Sequence, residues 1–296
     1  QADYFEGPFL RDDLAAITLQ ALATDKKGGE TYLLKSLIDT GAVDATKAKN
    51  LTEKIENYRA LTRATDAVDS VSQDTNSLTQ ARGTVQYAGD TMDVSFDSST
   101  REKIVLRNAK VQLSSETKIT QNGETTESGT WIKDGWLYLY TKDGGVTAKN
   151  KVAVDDSMTD ADLAEVESNQ VDKVGLSAIK SISVVKDGLT SYYSVDVDAS
   201  AAAFLSGILE NYVDEDDKDL TSIEVSDIKV TYTVNGQGVL GAMTTSFRLK
   251  IVYASGEFQG DPMVMDMKYT VATNILATGN AVSITFPDFS DYVILN

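Results

Sequence analysis

The feature that most restricts the fold is a change of hydrophobic period near residue 82. Apolar residues recur at helical spacing before it and alternate after it. Upstream, Leu10, Leu14, Ile17 and Ala21 sit at i, i+4, i+7 and i+11, one face of a helix that Gly28-Gly29 ends. A second short helix carries Leu34, Leu37 and Ile38 and stops at Gly41. Asp44 reads as the N-cap of a third. In that helix Ala48, Leu51, Ile55 and Tyr58 share a face that Leu61, Thr65, Val68 and Val71 continue. The helical run extends to about Gln80, with a break near Asp69-Ser70 because so long a helix without heptads is uncommon.

From Arg82 onward short alternating runs are punctuated by turn dipeptides. Ala88-Gly89-Asp90, Asn122-Gly123, Asp134-Gly135, Asp187-Gly188 and Asn235-Gly236 each separate two such runs. In Trp136 to Tyr140, Trp136, Tyr138 and Tyr140 fall on one face and Leu137 and Leu139 on the other, so both faces of that strand are apolar. Ser157 to Leu163 opens a helix expected near 157–170, and Ala199 to Tyr212 forms another, with Leu205 and Leu209 on its apolar face. Long strands finish the chain at Ile223 to Val234, Met243 to Tyr253, Met263 to Thr273 and Val282 to Phe286. Sequential strands on short turns are antiparallel. The expected class is therefore α+β: a large curved antiparallel meander sheet, wrapped on helices, over residues 82–296, preceded by a helical segment over residues 1–81.

The chain has no His and no Cys, which excludes Ser-His and Cys-His nucleophile pairs, imidazole or thiolate metal centres and every disulfide. A net charge of −18 repels phosphate backbones, so nucleic acid is not an expected partner. No apolar run is long enough for a transmembrane helix. A Cys-free chain rich in Ser, Thr, Asp, Asn and Gly fits export from a bacterial cell, where stability need not come from disulfides. The chain starts at Gln1 and not Met, which fits a removed export signal and equally a truncated chain; a lipid anchor, if the protein carries one, would have its Cys upstream of Gln1.

Three stretches suggest a family. Trp131-Ile132-Lys133-Asp134-Gly135-Trp136-Leu137-Tyr138-Leu139-Tyr140 resembles the Asp-Gly hairpin of exported bacterial lipoproteins. Asp187-Gly188-Leu189, leading through Thr190 to Asp198 into a helix, is similar to their central strand–helix unit. The ending Val282 to Tyr292, with Pro287 and aromatics, resembles their closing strand. The resemblance covers about residues 84–296 and implies the half-barrel of the lipoprotein carriers LolA, LolB and LppX, in which an incomplete barrel wraps helices around an apolar cavity.

Candidate chemistry is sparse. Asp214-Glu215-Asp216-Asp217-Lys218-Asp219 offers oxygen ligands but lacks the Gly and the closing Glu of a calcium loop, and Asp155, Asp156, Asp160 and Asp162 are explained by helix capping. No metal or cofactor is expected. Paired carboxylates are the one serious enzymatic route, with Trp131, Trp136, Tyr138 and Tyr140 as walls of a sugar cleft. Ser177 and Lys180 lack the setting of a nucleophilic dyad. If the sheet curls incompletely around its helices, Trp136, Tyr138, Leu205, Leu209, Phe247, Leu249, Met265 and Met267 would line a cavity for a lipid or another apolar molecule. The leading expectation is a non-catalytic lipoprotein on the outer face of a bacterial cell, held to the membrane by its anchor and binding an apolar ligand. The alternatives are a structural or adhesive surface protein with a filled core and a glycan-active enzyme.

Overall fold

A computed structural model describes residues 11–27, 31–69, 72–107, 110–154, 174–198, 220–253 and 262–295. Among them, three helices precede a twelve-stranded open, curved sheet, an α+β half-barrel. The helices expected near 157–170 and 199–212, with Leu205 and Leu209, lie outside the described residues, as do the acidic runs at Asp155 to Asp162 and Asp214 to Asp219. No described helix is long and apolar enough to cross a membrane.

The helices are α1 (Arg11–Ala23), α2 (Leu33–Asp39) and α3 (Ala45–Asp69). Asp44 caps α3 as its sequence predicts, its Oδ1 accepting from the Lys47 amide at 2.9 Å. The α3 stripe is also as expected, with Ala48, Ile55, Leu61, Thr65 and Val68 all buried. α1 differs. Leu14 and Ile17, on its expected core face, are exposed, while Leu19, Leu22 and Ala23 turn inward onto Tyr32, Leu34, Ile55 and Leu176. The rotation is fixed at its C-terminal end, where Arg59 donates to the Ala23 carbonyl at 2.7 Å and pairs with Asp25 at 2.6 Å.

α3 does end at Asp69, but the chain then enters the sheet: β1 (Gln73–Tyr87) begins well before Arg82. Gln73 ties the two elements together by donating its side-chain amide to the Val68 carbonyl at 2.7 Å, which satisfies a helix-end acceptor. Next come β2 (Asp90–Arg107), β3 (Lys110–Gln121), β4 (Glu124–Lys133), β5 (Trp136–Asp143) and β6 (Val146–Ala153), each antiparallel to its predecessor. A second meander holds β7 (Ile179–Asp187), β8 (Thr190–Val197), β9 (Leu220–Val234), β10 (Leu240–Tyr253) and β11 (Met263–Thr278). The two meanders join where β1 pairs antiparallel with β11, from Gln73↔Thr278 to Gln86↔Val264. The spatial order is β12-β6-β5-β4-β3-β2-β1-β11-β10-β9-β8-β7, with β12 (Val293–Ile294) parallel to β6.

That order explains one departure. Val282 to Phe286 alternates like a strand, yet β1 and β10 already occupy both edges of β11, so the segment after it has no neighbouring edge to join. It crosses one face of the first meander instead, as a strap held by side-chain and backbone contacts with the sheet.

The sheet's two faces carry different covers. On the helix face Ala81, Phe247, Leu249, Ile251, Met267 and Tyr269 form one buried cluster with Leu61, Ala64 and Val68 of α3, so the helical segment and the sheet share a core. The far face of the second meander is charged, as Arg248 forks onto Asp266 with Nε 2.7 Å from Oδ1. On the far face of the first meander lies the strap. Lys103 donates to the Ser283 carbonyl at 3.2 Å, Lys149 pairs with Asp291 at 2.6 Å, and the Phe289 ring stacks on Tyr138 at 3.8 Å.

Candidate functional site

Strand register builds a groove on that far face. In an antiparallel ladder, residues directly opposite share a face. Asn76, Arg101, Glu116, Gly129, Tyr140 and Lys149 are successive partners across six strands, β1 to β6, and so form a single rung. At about 4.8 Å per strand spacing this rung is about 24 Å long. The adjoining rung runs Leu78, Ser99, Lys118, Glu127 and Lys142. With Pro287, Asp288 and Tyr292 of the strap as its wall, the rung floors an open groove of about 510 Å³.

Gly129 has no side chain on this face, and the indole of Trp131, two residues along on the same face, fills the space that one would take. A Cβ at position 129 would lie 2.1 Å from the indole Cη2. The indole is packed by Tyr140 and Tyr292, each at 6.5 Å between ring centroids, and by Phe289 at 5.8 Å. Its Nε1 is buried without a hydrogen-bond partner. Burial also pushes the Tyr292 hydroxyl above the usual tyrosine range.

The charges around the groove are mixed. Arg101 pairs with Asp74 at 2.6 Å, Lys149 with Asp291, and Glu127 with Lys142 at 3.7 Å. The Asp288 carboxyl is held below its ordinary range because it accepts hydrogen bonds from Ser290, including one from the backbone amide at 2.9 Å. A carboxylate held low is a poor general acid, since glycoside cleavage requires one raised carboxyl.

The structure divides the residues singled out in the sequence. Phe247, Leu249 and Met267 are at most 3% exposed in the helix-face core, with Met265 packed against it. Trp136 and Tyr138 are on the opposite face, where Lys151 lies 5.4 Å over the Trp136 ring and Phe289 covers Tyr138. Register is the cause: Tyr138 opposes Trp131, so the Trp136–Tyr138–Tyr140 side of β5 faces the strap and not the helices. Leu205 and Leu209 lie outside the described residues. The aromatic walls Trp131 and Tyr140 were legible in the hairpin sequence. Arg101, Glu116, Lys118, Lys149 and Tyr292 were not, because only the pairing of distant strands assembles them.

The helix face holds one titratable group of note. Glu102 lies between Thr75 and Ser115 on neighbouring strands, and burial pushes its carboxyl above the ordinary glutamate range. A folded value above the unfolded one means that stability from this group is present below the ordinary range and is lost as pH rises toward the folded value. Glu102→Gln is therefore expected to raise the urea midpoint at about pH 7 more than at about pH 4. Equal shifts at both pH values would refute this.

No protein-family model and no curated protein matches the chain. Among solved structures it is similar to a DUF1329 family protein from Desulfovibrio piger, at 13% identity over 80% of this chain and 96% of that one, with a TM-score of 0.23. It is also similar to the ywiB protein from Bacillus subtilis, at 10% identity over 71% and 97% of the two chains, with a TM-score of 0.18. Superpositions this loose bear on neither ancestry nor function.

Proposed function

We propose that this protein is a non-catalytic, exported cell-envelope protein of the structural or adhesive kind: a filled half-barrel that presents a binding surface on its far face. The observation that carries the reading is the packing of Phe247, Leu249 and Met267 against Leu61, Ala64 and Val68 of α3, all at most 6% exposed. Side chains packed to that degree serve as core, and an acyl chain would have to displace them. Export rests on the absence of Cys and on the composition.

Native mass spectrometry and lipid extraction of protein purified from its own host test this reading. The expected result is the mass of the polypeptide, with any covalent anchor, and no co-purified acyl molecule. A stoichiometric lipid would instead establish the carrier reading, with the ligand between sheet and helices. A second reading, glycan cleavage by paired carboxylates, is favoured by Glu116, Glu127 and Asp288 standing beside Trp131, Tyr140 and Tyr292. The lowered Asp288 carboxyl speaks against it, and release of reducing ends from a polysaccharide would establish it.

A further inference from the structure

The groove has a chemistry of its own. Its floor is cut from paired strands, so backbone N–H and C=O groups are spent in the β1–β6 ladders and recognition falls to side chains. This disfavours an extended peptide, which binds sheets by adding to an unpaired edge. Lining cations and anions are equal in number, with Arg101, Lys118 and Lys149 against Glu116, Glu127 and Asp288, in a chain of net charge −18. Such a balance offers donors and acceptors side by side without a net pull on an ion. Asn76 and Ser99 add neutral groups of both kinds. Tyr140 and Pro287 supply an apolar surface beside these groups, with the buried Trp131 and Tyr292 rings packed behind them. A long open groove with adjacent donors and acceptors and an aromatic wall suits a ligand whose repeating units carry hydroxyls on their edges and C–H groups on their faces.

Building on the adhesive reading above, we propose that the groove binds a neutral polysaccharide, laid along the Asn76–Lys149 rung with a sugar ring against Tyr140 and hydroxyl pairs held by Glu116 and Arg101.

Affinity electrophoresis of the full chain, in native gels containing mixed-linkage β-glucan, xylan, galactomannan, polygalacturonate or hyaluronate, tests it. At least one neutral polymer is expected to retard the protein. Tyr140→Ala and Glu116→Gln are each expected to weaken that retardation about tenfold in apparent affinity. Glu116 is exposed, so Glu116→Gln leaves the fold intact and keeps the result readable if Tyr140→Ala does not fold. Retardation by no neutral polymer, by the anionic polymers alone, or undiminished in Glu116→Gln would overturn the proposal. Reducing ends released from a bound polymer would overturn the non-catalytic reading while leaving the groove's ligand class standing. A co-purified lipid would overturn the filled-core reading without touching the groove.

Discussion

Gly83→Ala is expected to lower the unfolding free energy by about 3 kcal/mol. The added Cβ would lie 2.0 Å from the Asp266 carbonyl oxygen and 2.8 Å from the Met267 Cα. Both are backbone atoms of β11, so no side-chain rotation relieves the clash and the strands themselves must part. They part at a sensitive place, because among the described residues the β1–β11 ladder is the joint between the two meanders. Gly241→Ala is the matched control. Its Cβ would have the Thr233 carbonyl oxygen at 3.7 Å, an ordinary contact, and is expected to shift stability by less than about 1 kcal/mol. Urea denaturation of the two variants checks the comparison. If Gly83→Ala were no worse than Gly241→Ala, the seam would not be a close-packed joint.

Trp131→Ala is expected to remove about 3–5 kcal/mol, the range for deleting a buried tryptophan, and to release the strap. The indole is 5% exposed and touches Tyr140, Phe289 and Tyr292, so its loss opens a cavity under the one layer covering β4 and β5 on this face. Partial collapse is hindered because the Gly129 floor has no side chain to move in. The effect separates into two readouts. The urea midpoint falls, and limited proteolysis cuts first within residues 282–295, while the helix-face core survives. Phe289→Ala, which removes the ring on Tyr138 and leaves the indole, is expected to give the same cut with a smaller loss of stability. A Trp131→Ala protein whose C-terminal segment stays protected would refute the anchoring role of the indole.

Local chemistry made much of the fold readable. Asn122-Gly123 and Asp134-Gly135 adopt the positive φ values of tight hairpins, 50° and 89°, and 51° and 78°. The α3 stripe and the Asp44 cap arise from helical period and cap chemistry. The start of β1 was hidden because its helix-face positions Thr75, Ser77 and Thr79 are hydroxyl residues with no apolar alternation. Cross-strand pairing holds them, as in Ser77 Oγ with Thr273 Oγ1 at 2.9 Å. The exposed Leu14 and Ile17 show the converse: periodicity proposes a face, and contacts at the helix end choose another. The groove was half legible. Two of its aromatics, Trp131 and Tyr140, sit in one hairpin, but its rung draws one residue from each of six strands, and no sequence spacing encodes that row.

The β1–β11 pairing also sets the order in which the chain is completed. Gln86 and Val264 meet across nearly the whole described sheet sequence, so this ladder closes only once the last long strand is available. Each meander is built from neighbour contacts and forms early, whereas the seam carries the loop-closure entropy of everything between its ends. Folding is thus paced by one late event at the middle of the sheet, and until it occurs the open edges of β1 and β11 are the places where two nascent copies would pair with each other.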